Sequence, residues 1–219
     1  MSEGYEVAHI DELEELPIKN PGGEFVWRPV RRRFGITAFG TNAYTGDAGR
    51  RVIEEHSERD NHQEMYVVLR GRAMFTLGEE EVDAPAGTIV FVRPNTKRGA
   101  VAAEDGTAVL AVGAKPGVVF EQSLWEEVFA ANAYADKGEL EKARELMGTL
   151  LEQHPDAWQG HFNAACLEAR VGDKERAIQH FQRAVELEPE QTRDYAKTDS
   201  DFDSIRDDPR FVATLEPRS

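Results

Sequence analysis

Two textures of hydrophobic patterning divide this chain. Up to about residue 116, short runs rich in Val, Phe, Tyr and Thr alternate with turn residues. Strands are predicted over Phe25–Val30, Phe34–Thr45, Arg51–Glu58, Glu64–Leu69, Ala73–Leu77, Glu81–Ala84, Thr88–Val92, Arg98–Ala103 and Ala108–Val112. Gly46-Asp47, Gly71, Gly78, Pro85-Ala86-Gly87, Pro94-Asn95 and Asp105-Gly106 punctuate them. Many short strands with turn chemistry between them predict an all-β sandwich or barrel. After Lys115-Pro116-Gly117 the period changes, and from about Leu124 the pattern is helical, with Ala, Glu, Leu and Arg dominating.

The helical part repeats itself. Gly138 aligns with Gly172, Ala143 with Ala177, Met147 with Phe181, Leu150 with Ala184 and Pro155 with Pro189, each at an offset of 34 residues. This predicts two helix–turn–helix units, 124–155 and 158–189, with glycines at the turns and small residues where helices approach closely. Two stacked units leave a face uncovered. The tail 190–215 is therefore expected to cap them, with Asp201 and Asp208 as helix N-caps and Phe202, Ile205, Phe211 and Leu215 as anchors. The expected organisation is an acidic segment 1–19, a β domain 20–116 and a helical domain 117–219. In the first, Pro17 interrupts a short amphipathic turn, and Asn20-Pro21-Gly22-Gly23 marks a turn after it. Arg31-Arg32-Arg33 reads as a solvated strand end or edge.

Charge narrows the function classes. The formal net charge of the 219-residue chain is −15. Residues 1–116 carry 14 Lys+Arg against 19 Asp+Glu, and 117–219 carry 12 against 22. Neither part offers the positive field of a nucleic-acid binder, and an acidic surface repels anionic membranes. A single cysteine, Cys166, excludes an internal disulfide framework and a Cys-rich zinc site, and reads as a core residue. The first residues lack the basic segment and apolar core of a signal peptide, and no apolar run approaches a membrane span. A cytoplasmic location is expected.

Candidate chemistry concentrates in His56–Gly71, HSERDNHQEMYVVLRG. Two His-x-Glu pairs, His56 with Glu58 and His62 with Glu64, precede an apolar run. In a strand, His62, Glu64, Tyr66 and Val68 share a face, so a core strand carries a polar pair at its mouth. Glu64, six intervening residues and Gly71, followed by Pro85-Ala86-Gly87, an apolar strand and Pro94-Asn95, resemble the two motifs of the cupin family over residues 24–114. The resemblance implies a small double-stranded β-helix, or jelly roll, that often holds one metal between strands, and pairing of two copies through edge strands. Its first-motif histidines would fall at Glu58 and Asp60, unless a longer loop brings His56 and Glu58 into their place. Its second-motif histidine falls at Arg98, an always-charged group that is no ligand. The helical units resemble tetratricopeptide repeats through Ala131, Tyr134, Gly138, Ala143 and Pro155, and Ala165, Gly172, Ala177, Phe181, Ala184 and Pro189. That resemblance implies a scaffold for a protein or peptide partner.

Three readings of the candidate site follow. In one, His56, His62 and Glu64, with Glu58, hold iron, manganese, nickel or zinc, as in a metal-dependent dioxygenase or isomerase. In another, Arg98 fills the metal's volume and pairs with Glu64 or Glu58; an acidic small molecule then binds through Arg98, with Tyr44, Tyr66 and the histidines lining the cavity. In the third, the barrel is purely structural. Arg98 in the histidine position favours the non-catalytic readings. His154 and His161 read as loop residues and His180 as solvated.

Overall fold

The computed structural model of the protein describes residues 5–20, 23–59 and 61–216. Pro21 and Gly22 of the expected turn, and Asp60, lie outside the described residues. The chain forms two compact units, 1–122 and 123–219.

The first unit is two antiparallel sheets. Strands β1 (Leu16–Asn20), β2 (Gly23–Arg28), β3 (Gly40–Gly46), β5 (Gln63–Arg70), β8 (Ile89–Val92) and β10 (Thr107–Ala114) form a six-stranded sheet in the order β1-β2-β3-β10-β5-β8. Strands β4 (Arg51–Ser57), β6 (Arg72–Leu77), β7 (Glu80–Pro85) and β9 (Lys97–Ala102) form the other, in the order β4-β9-β6-β7. Alternation, interrupted by register shifts on β4, supplies the core between them. Tyr66, Val68, Val90, Val92 and Val109 from the larger sheet meet Val52, Ile53, Ala73, Phe75, Ala84, Ala100 and Ala102 from the smaller. The result is the expected jelly-roll sandwich.

Two elements differ from expectation. Residues 16–20 form an edge strand in which Leu16 and Ile18 are buried; Pro17 is tolerated because an edge strand leaves one row of N–H groups unpaired. Arg28, buried on β2, secures the residues just before this strand by donating to the carbonyls of Ile10 and Leu13, each at 3.0 Å. The arginine cluster is a helical turn, α1 (Val30–Phe34), and not a strand end. Pro29 stands at its N-cap, and Gly35 ends it at φ 62°.

The second unit is helical: α2 (Leu124–Asp136), α3 (Leu140–Gln153), α4 (Trp158–Arg170), α5 (Lys174–Leu187), α6 (Pro189–Thr198) and α7 (Pro209–Leu215). The repeat is realised position by position. Gly138 and Gly172 follow α2 and α4 at φ 82° and 85°, a conformation that favours glycine. Ala143, Met147 and Leu150 on α3, and Ala177, Phe181 and Ala184 on α5, are buried. Arg144 on α3 grips the buried Glu168 of α4 with two nitrogens, tying one repeat to the next. The tail caps the stack as expected, with Phe202, Ile205 and Phe211 in one core with Phe162, Phe181 and Cys166. Asp208 caps α7, but the cap of the turn Ser200–Phe202 is Asp199 rather than Asp201.

Candidate functional site

The site lies between the two sheets and draws residues from both. Alternation along β5 turns Glu64, Tyr66 and Val68 inward and leaves Met65 and Leu69 outside. From the opposite sheet, β9 contributes Arg98, which is 0% exposed. β4 pairs with β9 through two register shifts: Ile53 lies opposite Ala100, and His56 opposite Arg98. Three residues of β4 thus match two of β9, a bulge that aims both Ile53 and His56 inward.

Glu64 is the hub. Its Oε2 accepts a hydrogen bond from the Tyr66 hydroxyl at 2.6 Å. The same oxygen lies 3.0 Å from Nη2 of Arg98 and 3.5 Å from Nε2 of His56. Arg98 also donates to the Thr96 carbonyl at 2.9 Å. Its Nη2 meets Glu64 as an ion pair without hydrogen-bond alignment, and Nε has no hydrogen-bond partner. Burial by itself would raise the Glu64 pKa; the bonds from His56 and Tyr66 and the Arg98 charge outweigh it and hold the carboxyl below its ordinary value. Burial, together with the Glu64 charge, pushes the Tyr66 phenol up, so it stays a donor.

The His56 tautomer follows from its partners. Nδ1 lies 2.7 Å from the Glu54 carbonyl, so that nitrogen carries a proton and donates. Nε2 then faces two carboxylates, Glu64 at 3.5 Å and Glu58 at 3.8 Å. Only an N–H there is attracted to both. Burial opposes the charge on the ring, but these contacts prevail and raise its pKa. His62 stands one step outside, with Nδ1 3.9 Å from Glu58. It fits there because Gly113, opposite Glu64 in the register, has no side chain: a Cβ would come within 2.6 Å of the His62 Nε2.

The structure therefore gathers His56, Glu58, Glu64, Tyr66 and Arg98, with His62 beside Glu58. Tyr44 packs edge-on against Phe25, its ring centroid 5.7 Å away, at the margin of the core. The group whose ligand atoms come together is His56, Glu58 and Glu64, within 4.8 Å of one another, with Glu58 in the place that the sequence assigned to His62. Arg98, expected to hold an acidic ligand, is wholly covered. Side chains of His56 and Glu58 are each 34% exposed and Glu64 14%, so the carboxylates and imidazoles form the open side. Gly113 was missed by sequence reasoning; only its pairing with Glu64 reveals its role.

In the helical unit the structure brings together two histidines that the sequence left apart. Nδ1 of His161 on α4 lies 3.3 Å from Nδ1 of His180 on α5. His180 is half-buried, and burial followed by the nearby His161 lowers its pKa. Cys166 is buried beside Asp199 and Asp201; burial, then Asp199, raises its thiol pKa, so it is an inert core residue.

Fold and site define a β-sandwich with an inter-sheet polar cluster, joined in one chain to helical repeats. Comparison with known families agrees. Residues 45–113 match the Cupin domain and residues 130–192 the Tetratricopeptide repeat. The chain thus carries a cupin domain followed by tetratricopeptide repeats. No curated protein matches it. Solved structures that resemble it include a cupin protein from Bacteroides fragilis, 20% identical, covering 56% of this chain and 93% of that one, TM-score 0.41. A predicted oxalate decarboxylase from Thermotoga maritima is 19% identical, covering 49% of this chain and 97% of its own, TM-score 0.42. A Cupin 2 conserved barrel domain protein from Salinispora arenicola is 18% identical, covering 53% and 93%, TM-score 0.42. Among the described residues, no helix is long and apolar enough to cross a membrane.

Proposed function

We propose that the cupin domain is a non-catalytic small-molecule binding module without a resident metal, and that the helical repeats are a scaffold for a protein partner. The observation that carries the first part is Arg98, buried 3.0 Å from the carboxylate that a metal would need. His56 is a suitable ligand, since its Nδ1–H is held by a carbonyl and Nε2 points inward, and Glu58 offers a carboxylate beside it. Glu64, the carboxylate deepest in the cluster, does not fit, because Arg98 already occupies its side. A divalent ion about 2.1 Å from Glu64 Oε2 would lie within roughly 5 Å of a guanidinium that keeps its proton. The repulsion is on the order of several kcal/mol even at an effective dielectric constant of about 20.

The open side of the cluster selects the ligand. Glu58 accepts hydrogen bonds, His56 donates and His62 does either, whereas Glu58 and Glu64 repel an acid and Arg98 is shielded behind Glu64. This favours an uncharged, hydroxyl-bearing small molecule over the acidic ligand expected from sequence. Thermal-shift titration with matched neutral polyols and sugar acids tests it. Neutral compounds should stabilise the protein, with the effect lost in Glu58→Ala. Stabilisation by the acids alone, or insensitivity to Glu58→Ala, would overturn the ligand class.

For the repeats, the excess of 22 Asp+Glu over 12 Lys+Arg in residues 117–219 supports a basic peptide segment as partner. Affinity for such a segment should fall steeply between low and high salt. Self-association through the cupin domain is supported by the outer face of the β5–β8 edge, where Met65, Leu69, Ile89 and Phe91 are exposed.

A further inference from the structure

The facing histidines of α4 and α5 share one hydrogen. Nε2 of His161 lies 3.0 Å from the Pro155 carbonyl, so it carries a proton and donates. Nδ1 of the neutral ring is then a lone pair aimed at Nδ1 of His180, 3.3 Å away. One hydrogen fits between two nitrogens at that separation, and it belongs to His180, which donates. The rings, with centroids 5.6 Å apart and a tilt of 34°, meet head-on through this bond. It is a polar fastening beside an apolar seam, where Ala165, Ala177 and Phe181 are fully buried.

This arrangement dictates how the pair takes up protons. The first goes to Nε2 of His180, the basic nitrogen outside the shared bond, and leaves Nδ1–H donating as before from a charged ring. The second has Nδ1 of His161 as its site. Two N–H groups then oppose each other across 3.3 Å with a positive charge on each ring, and the contact must break. We propose that His161 and His180 form an acid-sensitive latch between α4 and α5, closed with no added proton or with one and opened by the second. In the unfolded chain each histidine takes its own proton near about pH 6.5. Below that pH the open form therefore binds at least one more proton than the closed form, and closure weakens as pH falls. Half-burial and then the neighbouring imidazole both disfavour charge on His180. Two charged groups also act on it, Glu168 of α4 in favour of a proton and Arg176 of α5 against. Glu168 is itself gripped by Arg144 of α3. Among the described residues, α2, α6 and α7 add no charged group to those acting on His180. At the other end, Asp156 is held by Arg183 of α5 at 2.9 Å, and His154 is exposed. α4 and α5 are the two helices of the second repeat, so the latch governs how firmly that repeat closes. It shares no residue with the cupin cluster and is independent of the function proposed there.

The test uses the full-length protein and two readouts. In a titration followed by the histidine ring resonances, the second proton should enter the pair at least about one pH unit below the ordinary histidine value. Two independent titrations near that value would overturn the latch. Hydrogen exchange of the α4 and α5 amides, corrected for the intrinsic rate at each pH, reads the opening. Protection in the wild type should fall roughly tenfold per pH unit below about pH 6.5. His180→Asn keeps an N–H donor near the position of Nδ1 and takes up no proton; its amide can turn to offer oxygen once His161 is charged. Its protection should therefore stay within about twofold over the same range. His56→Gln should behave as the wild type does. If His180→Asn loses its helical circular dichroism, His161→Gln supplies the same comparison, and the resonance titration needs no variant. Protection that falls equally in wild type and variant, or that does not fall with acid, would overturn the proposal.

Discussion

Arg98 and Glu64 decide the character of the cupin cluster. A buried guanidinium beside a carboxylate that also accepts from Tyr66 ties three groups into one cluster. Removing one partner leaves the other desolvated and unpaired, so Arg98→Met should cost about 3–5 kcal/mol in denaturant unfolding. Arg98→Met with Glu64→Gln should recover part of that loss; strict additivity would mean that the two do not interact. Stability should depend on pH in two windows. The Glu64 pKa is lowered from 4.5, so its contribution is full above that value and lost as pH falls through the native pKa. The His56 pKa is raised from 6.5, so its contribution is full below that value and lost as pH rises through the native pKa. The thermal midpoint should therefore be highest between about pH 4.5 and 6.5 as far as these groups act, with the alkaline limb absent in His56→Gln. An unchanged alkaline limb would remove His56 from the account. A pairing of Arg98 with Glu64 or Glu58 was legible because the resemblance of two motifs set Arg98 of β9 in a ligand position facing β5 of the other sheet; which carboxylate it meets needed the structure. The inward aim of His56 was not, because it depends on a bulge that shifts parity between Ile53 and His56. The meeting of His161 and His180 depends on how two helices are rotated against each other, which spacing alone leaves open.

At the scale of elements, turn chemistry marks the sandwich most firmly. Gly71 joins β5 to β6 at φ 70°, and an added Cβ would lie 2.9 Å from the Thr107 Cα. Backbone there has no room to give, so Gly71→Ala should destabilise by about 1–3 kcal/mol from the strained φ alone, and more from the clash. Gly78 turns between β6 and β7 at φ 66° in open space, so Gly78→Ala should cost only about 1–2 kcal/mol. Equal losses by denaturant unfolding would contradict that distinction. The strands from Arg51 onward were readable from alternation bounded by Gly, Pro and Asn. α1 was not, although its signals were present: Pro29 before it, three arginines of good helix propensity, and Gly35 to stop it. Reading the cluster as charge alone concealed them. β1 was hidden by Pro17, which breaks a helix or a central strand but not an edge.

For the whole molecule, one chain joins a cupin domain to tetratricopeptide repeats, with negative charge in both. The repeats were legible because a 34-residue period fixes turn, small-residue and proline positions at once. The apolar strip on β5 and β8 suits a second copy of the chain. Light scattering should give a dimer for the wild type and a monomer for Phe91→Lys; a monomeric wild type would contradict that use of the surface. Elemental analysis reads directly whether a guanidinium or a metal neutralises Glu64. Untagged protein offered iron, manganese, nickel and zinc in excess should hold no metal whose retention depends on Glu64, whereas Arg98→His, which places a ligand where the guanidinium lies, should gain one. Near-stoichiometric metal in the wild type that disappears in Glu64→Gln would contradict the account.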